Sequence, residues 1–179
     1  MKLESKIEAK DLRKSYRQKE VVKGISMKVL GGEIVGLLGP NGAGKTTTFS
    51  MIAGFVTPTR GSISLNGVEI IDFPPHKRAR EGIVYLAQEA SVFRSLTVEE
   101  NIRAIAETLT DNKIKENEIV SDRLMELGLT SLANQKAHSL SGGERRRLEI
   151  ARALVLSPDF LLLDEPFSGV DPKSVTEVN

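Results

Sequence analysis

Apolar positions along this chain recur in two rhythms, and each rhythm predicts a different element. Ile7, Ala9 and Leu12 alternate with polar residues, and Val22, Ile25, Met27 and Val29 repeat the pattern. Spacing near two puts such residues on one face of a pleated strand, so two antiparallel strands are predicted, joined through residues 15–20. Uninterrupted apolar runs at 34–38, 83–86 and 160–163 predict buried strands. Residues 61–67 predict a further strand closed by an Asn66-Gly67 hairpin turn.

Helical signals fall between these strands. Residues 46–53 lack Pro and Gly and carry Phe49, Met51 and Ile52. Pro74-Pro75 opens a short basic helix that Gly82 ends, and Thr97 with Glu100 makes a capping box for a helix to about Leu109. A helix over 113–127 stops at Gly128, and Ser141 with Glu144 caps another that runs to about Val155. Leu148, Ile150, Ala151 and Leu154 define the apolar side of that last helix, with Arg145, Arg146 and Arg147 as its solvated face. Strands that alternate with helices predict the α/β class.

Composition narrows this picture. The 179 residues suffice for one well-buried domain, and 40% hydrophobic with 27% charged content is ordinary for a globular chain. A formal charge of +1 supplies no strongly basic surface for nucleic acid. The absence of cysteine excludes disulfides, thiolate metal sites and cysteine nucleophiles. The charged N-terminus does not read as a signal peptide, and the apolar runs are too short to span a bilayer. A cytoplasmic location is expected.

The candidate chemistry centres on Gly39, Pro40, Asn41, Gly42, Ala43, Gly44, Lys45, Thr46 and Thr47, which lie between a predicted strand and a predicted helix. This satisfies every fixed position of G-x-x-x-x-G-K-[ST]. Gly39, Gly42 and Gly44 are expected in conformations closed to residues with a Cβ, turning successive N–H groups inward around an anion. The helix that follows adds the positive end of its dipole. Lys45 has the reach to contact outer phosphates, and the Thr46 hydroxyl suits Mg²⁺.

Three further constellations follow. Gln88 sits just beyond the end of the 83–86 strand, where ligands gather in parallel α/β sheets. Ser141, Gly142, Gly143 and Glu144 place two glycines inside a helix cap, leaving bare N–H groups beside a hydroxyl as a second anion site. Asp164 and Glu165 end the 160–163 strand, and such a pair downstream of a phosphate loop fits an acid that holds Mg²⁺ and a base that activates water.

Together the phosphate loop, Gln88, LSGGE at 140–144, LLLDE at 161–165 and SGVD at 168–171 resemble the ATPase subunits of ABC transporters. The resemblance implies a P-loop NTPase fold with a mixed, mainly parallel core sheet, an N-terminal antiparallel β subdomain and an inserted helical subdomain. Residues 1–88 and 156–179 would form the nucleotide-binding core, and 89–155 the helical subdomain. By the same resemblance Tyr16 would stack on the adenine of ATP, and Lys45 would hold its β and γ phosphates. Thr46, Gln88 and Asp164 would meet Mg²⁺, and Glu165 would be the general base. Ser141, Gly142 and Gly143 would bind ATP held by a second copy, with Ser168 and Asp171 in the loop between subunits. A homodimer on integral membrane permease subunits is implied, peripheral on the cytoplasmic face of the inner membrane, with no direct contact to cargo.

Within the family, residues 88–94, 141–150 and 164–172 look like the subfamily serving bacterial lipopolysaccharide export, where Phe93 and Arg94 would line a groove for a membrane-subunit helix. The family also has a switch histidine beyond the acid pair. His76 and His138 both precede that pair, so the chain reads as a C-terminally truncated form, with ATP binding expected more firmly than hydrolysis. The rival readings are an amino-acid importer ATPase, a DNA-repair or chromosome-organising ATPase, and an inactive nucleotide-binding module. The coiled-coil or zinc insertions usual in the DNA-repair class are absent.

Overall fold

Eleven residues from Lys6 to Tyr16 form the first strand, β1, and the alternation that predicted it breaks where the structure bends. Ile7 and Ala9 share the buried face, but the next buried position is Leu12, three residues on. The register shifts between Ala9 and Leu12, with Asp11 at φ +44°. This bulge returns Leu12 to the core face. β2 (Lys19–Leu30) pairs antiparallel with β1, and β3 (Arg60–Leu65) pairs antiparallel with its other edge. Asn66 and Gly67, both with positive φ, turn the chain into the two-residue β4 (Val68–Glu69). The sheet order is β2-β1-β3-β4.

This computed structural model describes residues 5–89 and 91–165. The chain divides into two compact units. The first holds the described residues up to Tyr85 together with Pro158–Asp164, and the second holds Leu86–Ser157 with Glu165.

In the first unit α1 (Lys45–Ala53) lays Met51 and Ile52 against the antiparallel sheet, where they join Ile7, Leu12, Val22 and Ile63 in one core. α2 (Pro75–Arg80) buries Arg78, whose guanidinium donates to the carbonyls of Ile71, Phe73, Met51 and Ile52. The last two carbonyls belong to the final turn of α1, so a cation caps the negative end of that helix. Burial lowers the Arg78 pKa below its ordinary value.

β5 (Ile83–Leu86) and β6 (Phe160–Leu163) form a separate two-stranded sheet. The Phe160 N–H donates to the Gly82 carbonyl at one end and the Tyr85 hydroxyl meets Asp164 at the other, so the strands start side by side and run in the same direction. Residues 34–38 depart from expectation: they form no strand, and Ile34 and Leu38 are 102% and 92% exposed. A strand exists only through its neighbours' hydrogen bonds, and no described strand lies beside this run. β6 shows a milder form of the same effect. Phe160 is buried, but Leu161 and Leu162 are only half-buried and Leu163 is exposed.

The second unit is helical. α3 (Val98–Ala106), α4 (Lys113–Glu126) and α5 (Gly142–Leu154) close around Val98, Ile102, Val120, Leu129 and Leu148. α3 starts on the capping box of Thr97 and Glu100, and it ends at Ala106, earlier than the sequence pattern suggests. On α5, Leu148 and Ala151 reach the core as expected, whereas Ile150 and Leu154 are half-buried. Arg146 is not a solvated residue: it bonds the buried Glu149 at 2.9 Å, because a carboxylate inside the unit needs a charged donor.

Candidate functional site

Gly44 stands at the N-cap of α1 with φ +89°. A Cβ there would lie 2.8 Å from the Val21 carbonyl oxygen and 2.9 Å from Val22. Both conformation and space therefore demand glycine. Gly42 also takes a positive φ, +80°. Gly39 does not, contrary to expectation; its constraint is Ala43, whose Cβ would sit 3.1 Å from a side chain at that position. The Ala43 N–H donates to the Pro40 carbonyl and tightens the turn through Asn41.

Lys45 opens α1 and curls over its own loop, with Nζ donating to the carbonyls of Gly39 at 2.8 Å and Pro40 at 3.0 Å. Its ammonium is thereby held above the loop backbone. The buried Thr48 hydroxyl donates to the Gly44 carbonyl at 2.9 Å and stitches the first turn. Thr46 is exposed and Thr47 half-buried. No side chain caps α1 and no acidic residue lies in its first turn, so its N-terminal N–H groups face outward as an anion site.

The two acids beyond β6 lie in different units and have different partners. Asp164, 1% exposed, accepts a hydrogen bond from the Tyr85 hydroxyl at 3.2 Å. Burial, reinforced by the Asp164 charge, pushes the Tyr85 phenol above its ordinary pKa and keeps it a donor. Glu165 is exposed, has φ +45°, and accepts from the Gln88 amide at 2.8 Å. A non-glycine residue in the left-handed region carries strain of about 1 kcal/mol or more, and such residues cluster at functional sites.

A Mg²⁺ ion bound with a nucleotide needs one or two carboxylates, with phosphate oxygens and waters completing its shell. The Asp164 carboxylate and the Thr46 hydroxyl, both in the first unit, fit that requirement. Among the described residues no cluster of three or more His, Cys, Asp or Glu side chains would hold an ion unaided. The donor set therefore suits a metal that arrives with its nucleotide.

In the helical unit Ser141 caps α5. Its Oγ accepts from the Glu144 N–H at 3.3 Å, while its hydroxyl donates to the Glu144 carboxylate at 2.7 Å. The bond from the Ser141 hydroxyl, and then one from the Ser141 N–H at 2.8 Å, hold the Glu144 carboxyl below the usual carboxylate range. Gly142 and Gly143 are exposed and have nothing within 4 Å of where a Cβ would stand. The cap is thus open on its glycine face, and its serine proton is already engaged.

Phe93 and Arg94 lie on a loop pinned from two helices. The buried Asn101 of α3 accepts from the Phe93 N–H at 2.8 Å and donates to the carbonyls of Phe93 and Thr97. From α5, Glu149 accepts from the Ser91 N–H, Arg152 bonds the Ser91 carbonyl, and the Arg152 guanidinium lies 4.4 Å from the Phe93 ring centre. Phe93 remains 45% exposed, so it is no core residue. His138 contacts the Arg94 carbonyl.

Tyr16 ends β1, exposed, with Lys14 Nζ 5.2 Å from its ring centre. Ser168 and Asp171 lie outside the described residues. Sequence reasoning missed Tyr85, Arg78 and Asn101. Tyr85 and Asn101 carry a signal, a lone polar group inside an apolar run or stripe, whereas Arg78 is indistinguishable from its exposed basic neighbours.

A family model described as ABC transporter matches residues 22–168. The chain belongs to the ABC transporter family. Among its ABC relatives, the lipopolysaccharide export system ATP-binding protein LptB of Acidithiobacillus ferridurans is 54% identical over 172 residues, covering 96% of this chain and 71% of that protein. The protein of the same description from Escherichia coli K12 is 51% identical over 171 residues, with 95% and 71% covered. The solved structure of cbiO1 from Clostridium perfringens, part of the ABC transporter complex cbiONQ, superposes with a TM-score of 0.85 at 30% identity, covering 96% of this chain and 70% of that one. As an ABC ATPase the chain has an α/β fold, and no helix among its described residues is long and apolar enough to cross a membrane.

Proposed function

We propose that this chain is the ATP-binding and hydrolysing motor subunit of a transporter that extracts lipopolysaccharide from the inner membrane. The observation that carries the transport reading is the 54% identity, over nearly the whole chain, to a lipopolysaccharide export ATP-binding protein. The site geometry supports the chemistry. The loop from Gly39 to Thr47, with the uncapped start of α1, would cradle the phosphates of ATP, and Lys45 would exchange its loop carbonyls for phosphate oxygens. Tyr16, exposed at the end of β1, would stack on adenine.

Thr46, Asp164 and Gln88 would hold Mg²⁺, which when bound neutralises charge on the phosphate oxygens. Glu165 would take the proton from the attacking water, with Gln88 orienting its carboxylate. Ser141, Gly142 and Gly143 would receive the γ-phosphate of ATP held by a second copy, in a homodimer with Ser168 and Asp171 in the loop between subunits. The Ser141 hydroxyl would then leave Glu144 for the phosphate. Phe93 and Arg94, on their pinned loop, would dock a helix of the integral membrane permease subunits. The chain would work peripherally on the cytoplasmic face of the inner membrane, binding neither nucleic acid nor cargo directly.

The test is phosphate release and ATP binding measured side by side for the wild type and Glu165→Gln. Turnover should fall roughly 10²-fold or more with ATP affinity kept; unchanged turnover would overturn the assignment of the base. The transport reading predicts co-purification with membrane subunits and ATP-dependent lipopolysaccharide release from vesicles, and a chain that supports export of another cargo class would refute it.

A further inference from the structure

β5 is apolar throughout except for one hydroxyl. Ile83, Val84 and Leu86 are buried, and Tyr85 interrupts them. A tyrosine in such a strand needs a partner for its hydroxyl. Here its acceptor is Asp164 Oδ2, 3.2 Å away just beyond β6, and the Ser50 side chain also bonds the phenol. The dependence runs both ways, because a carboxylate that is 1% exposed has lost its hydration and needs hydrogen-bond donors in its place. The tyrosine is itself held. Its ring packs 5.9 Å from that of Phe55, tilted by 53°, and it lines a cavity of about 240 Å³ with Ala53, Pro75 and Ala79. The phenol therefore reaches Asp164 from a fixed direction and engages one of its two oxygens.

We infer that Tyr85 is a positioning residue, which fixes the Asp164 carboxylate so that its second oxygen is presented to the magnesium of bound ATP. The inference rests on the reading of Asp164 as the acid that supports Mg²⁺. Hydrogen-bond partners behind a metal ligand set its orientation, and their loss typically weakens metal binding about 10- to 100-fold. Tyr85 adds no donor to the phosphates and takes no part in proton transfer. Its effect should appear in metal dependence.

Tyr85→Phe keeps the ring against Phe55 and removes only the hydroxyl. Mn²⁺ binding would be followed by electron paramagnetic resonance in the presence of a non-hydrolysable ATP analogue, on wild type, Tyr85→Phe and Asp164→Asn. The expected result is a rise of roughly ten-fold or more in the half-saturating Mn²⁺ concentration for Tyr85→Phe, with analogue binding in EDTA unchanged. A tyrosine with a merely structural role would lower the melting temperature and leave the Mn²⁺ titration in place, which would overturn the proposal. If Asp164→Asn weakens Mn²⁺ binding and Tyr85→Phe does not, only the role of Tyr85 fails. If Asp164→Asn leaves Mn²⁺ binding intact, the metal-site reading fails and the role of Tyr85 with it.

Discussion

The Gln88 side-chain amide donates to the Glu165 carboxylate at 2.8 Å, from the second residue beyond β5 to the second residue beyond β6. The bond joins a side-chain amide to an acid whose own backbone is strained at φ +45°. Gln88→Ala should therefore release the Glu165 side chain without altering the phosphate loop. Misplacement of a catalytic group by about 1 Å can cost on the order of 10²-fold in rate. The expected outcome is a turnover loss of that size with nucleotide affinity kept, read from steady-state phosphate release beside equilibrium binding.

Arg78 gives a stability prediction. Its guanidinium satisfies four backbone carbonyls, two of them in the last turn of α1. Arg78→Met would leave those acceptors buried and unpaired, at about 1–3 kcal/mol for each one left dry. Thermal or denaturant unfolding should show a loss of at least about 3 kcal/mol. Arg78→Lys should recover only part of it, because an ammonium cannot reproduce the planar fork of donors.

Two glycines of the candidate anion sites should respond differently to alanine. At Gly44 the positive φ alone costs about 1–2 kcal/mol, and the new Cβ would meet the Val21 carbonyl at 2.8 Å. Gly44→Ala should lower the melting temperature and abolish ATP binding together. At Gly143 there is open space and no positive φ. Gly143→Ala should leave both melting temperature and ATP binding by its own loop unchanged, and a drop in either would contradict the helical conformation seen there.

The helical unit carries an acid-sensitive element. Glu116 is buried between Lys113 at 2.8 Å and Arg103 at 2.5 Å, with Glu99 and Glu107 on the same network. Hydrogen bonds from Lys113 and then Arg103 hold its carboxyl below the usual range. A depressed folded-state pKa means that its contribution is complete above the unfolded value, near about 4.3, and is lost as pH falls through the folded value. Melting temperature should fall below about pH 4 in the wild type. Glu116→Gln should melt lower at neutral pH and show a flatter acid limb.

The sequence by itself determined everything that local chemistry can specify. The capping boxes of Thr97 with Glu100 and Ser141 with Glu144, and the Asn66-Gly67 turn, appear where the residues place them, because each closes its hydrogen bonds within a few positions. The candidate phosphate loop can be read from sequence for the same reason: its glycines, Lys45 and Thr46 are contiguous. Only the tertiary structure decided the rest. Residues 34–38 have strand chemistry and yet no strand, since pairing needs a neighbour that no local pattern encodes. Arg78 looks like its exposed neighbours until α1 brings carbonyls to it. Tyr85 and Asp164 stand 79 positions apart in sequence, and only the pairing of β5 with β6 sets a phenol against a carboxylate.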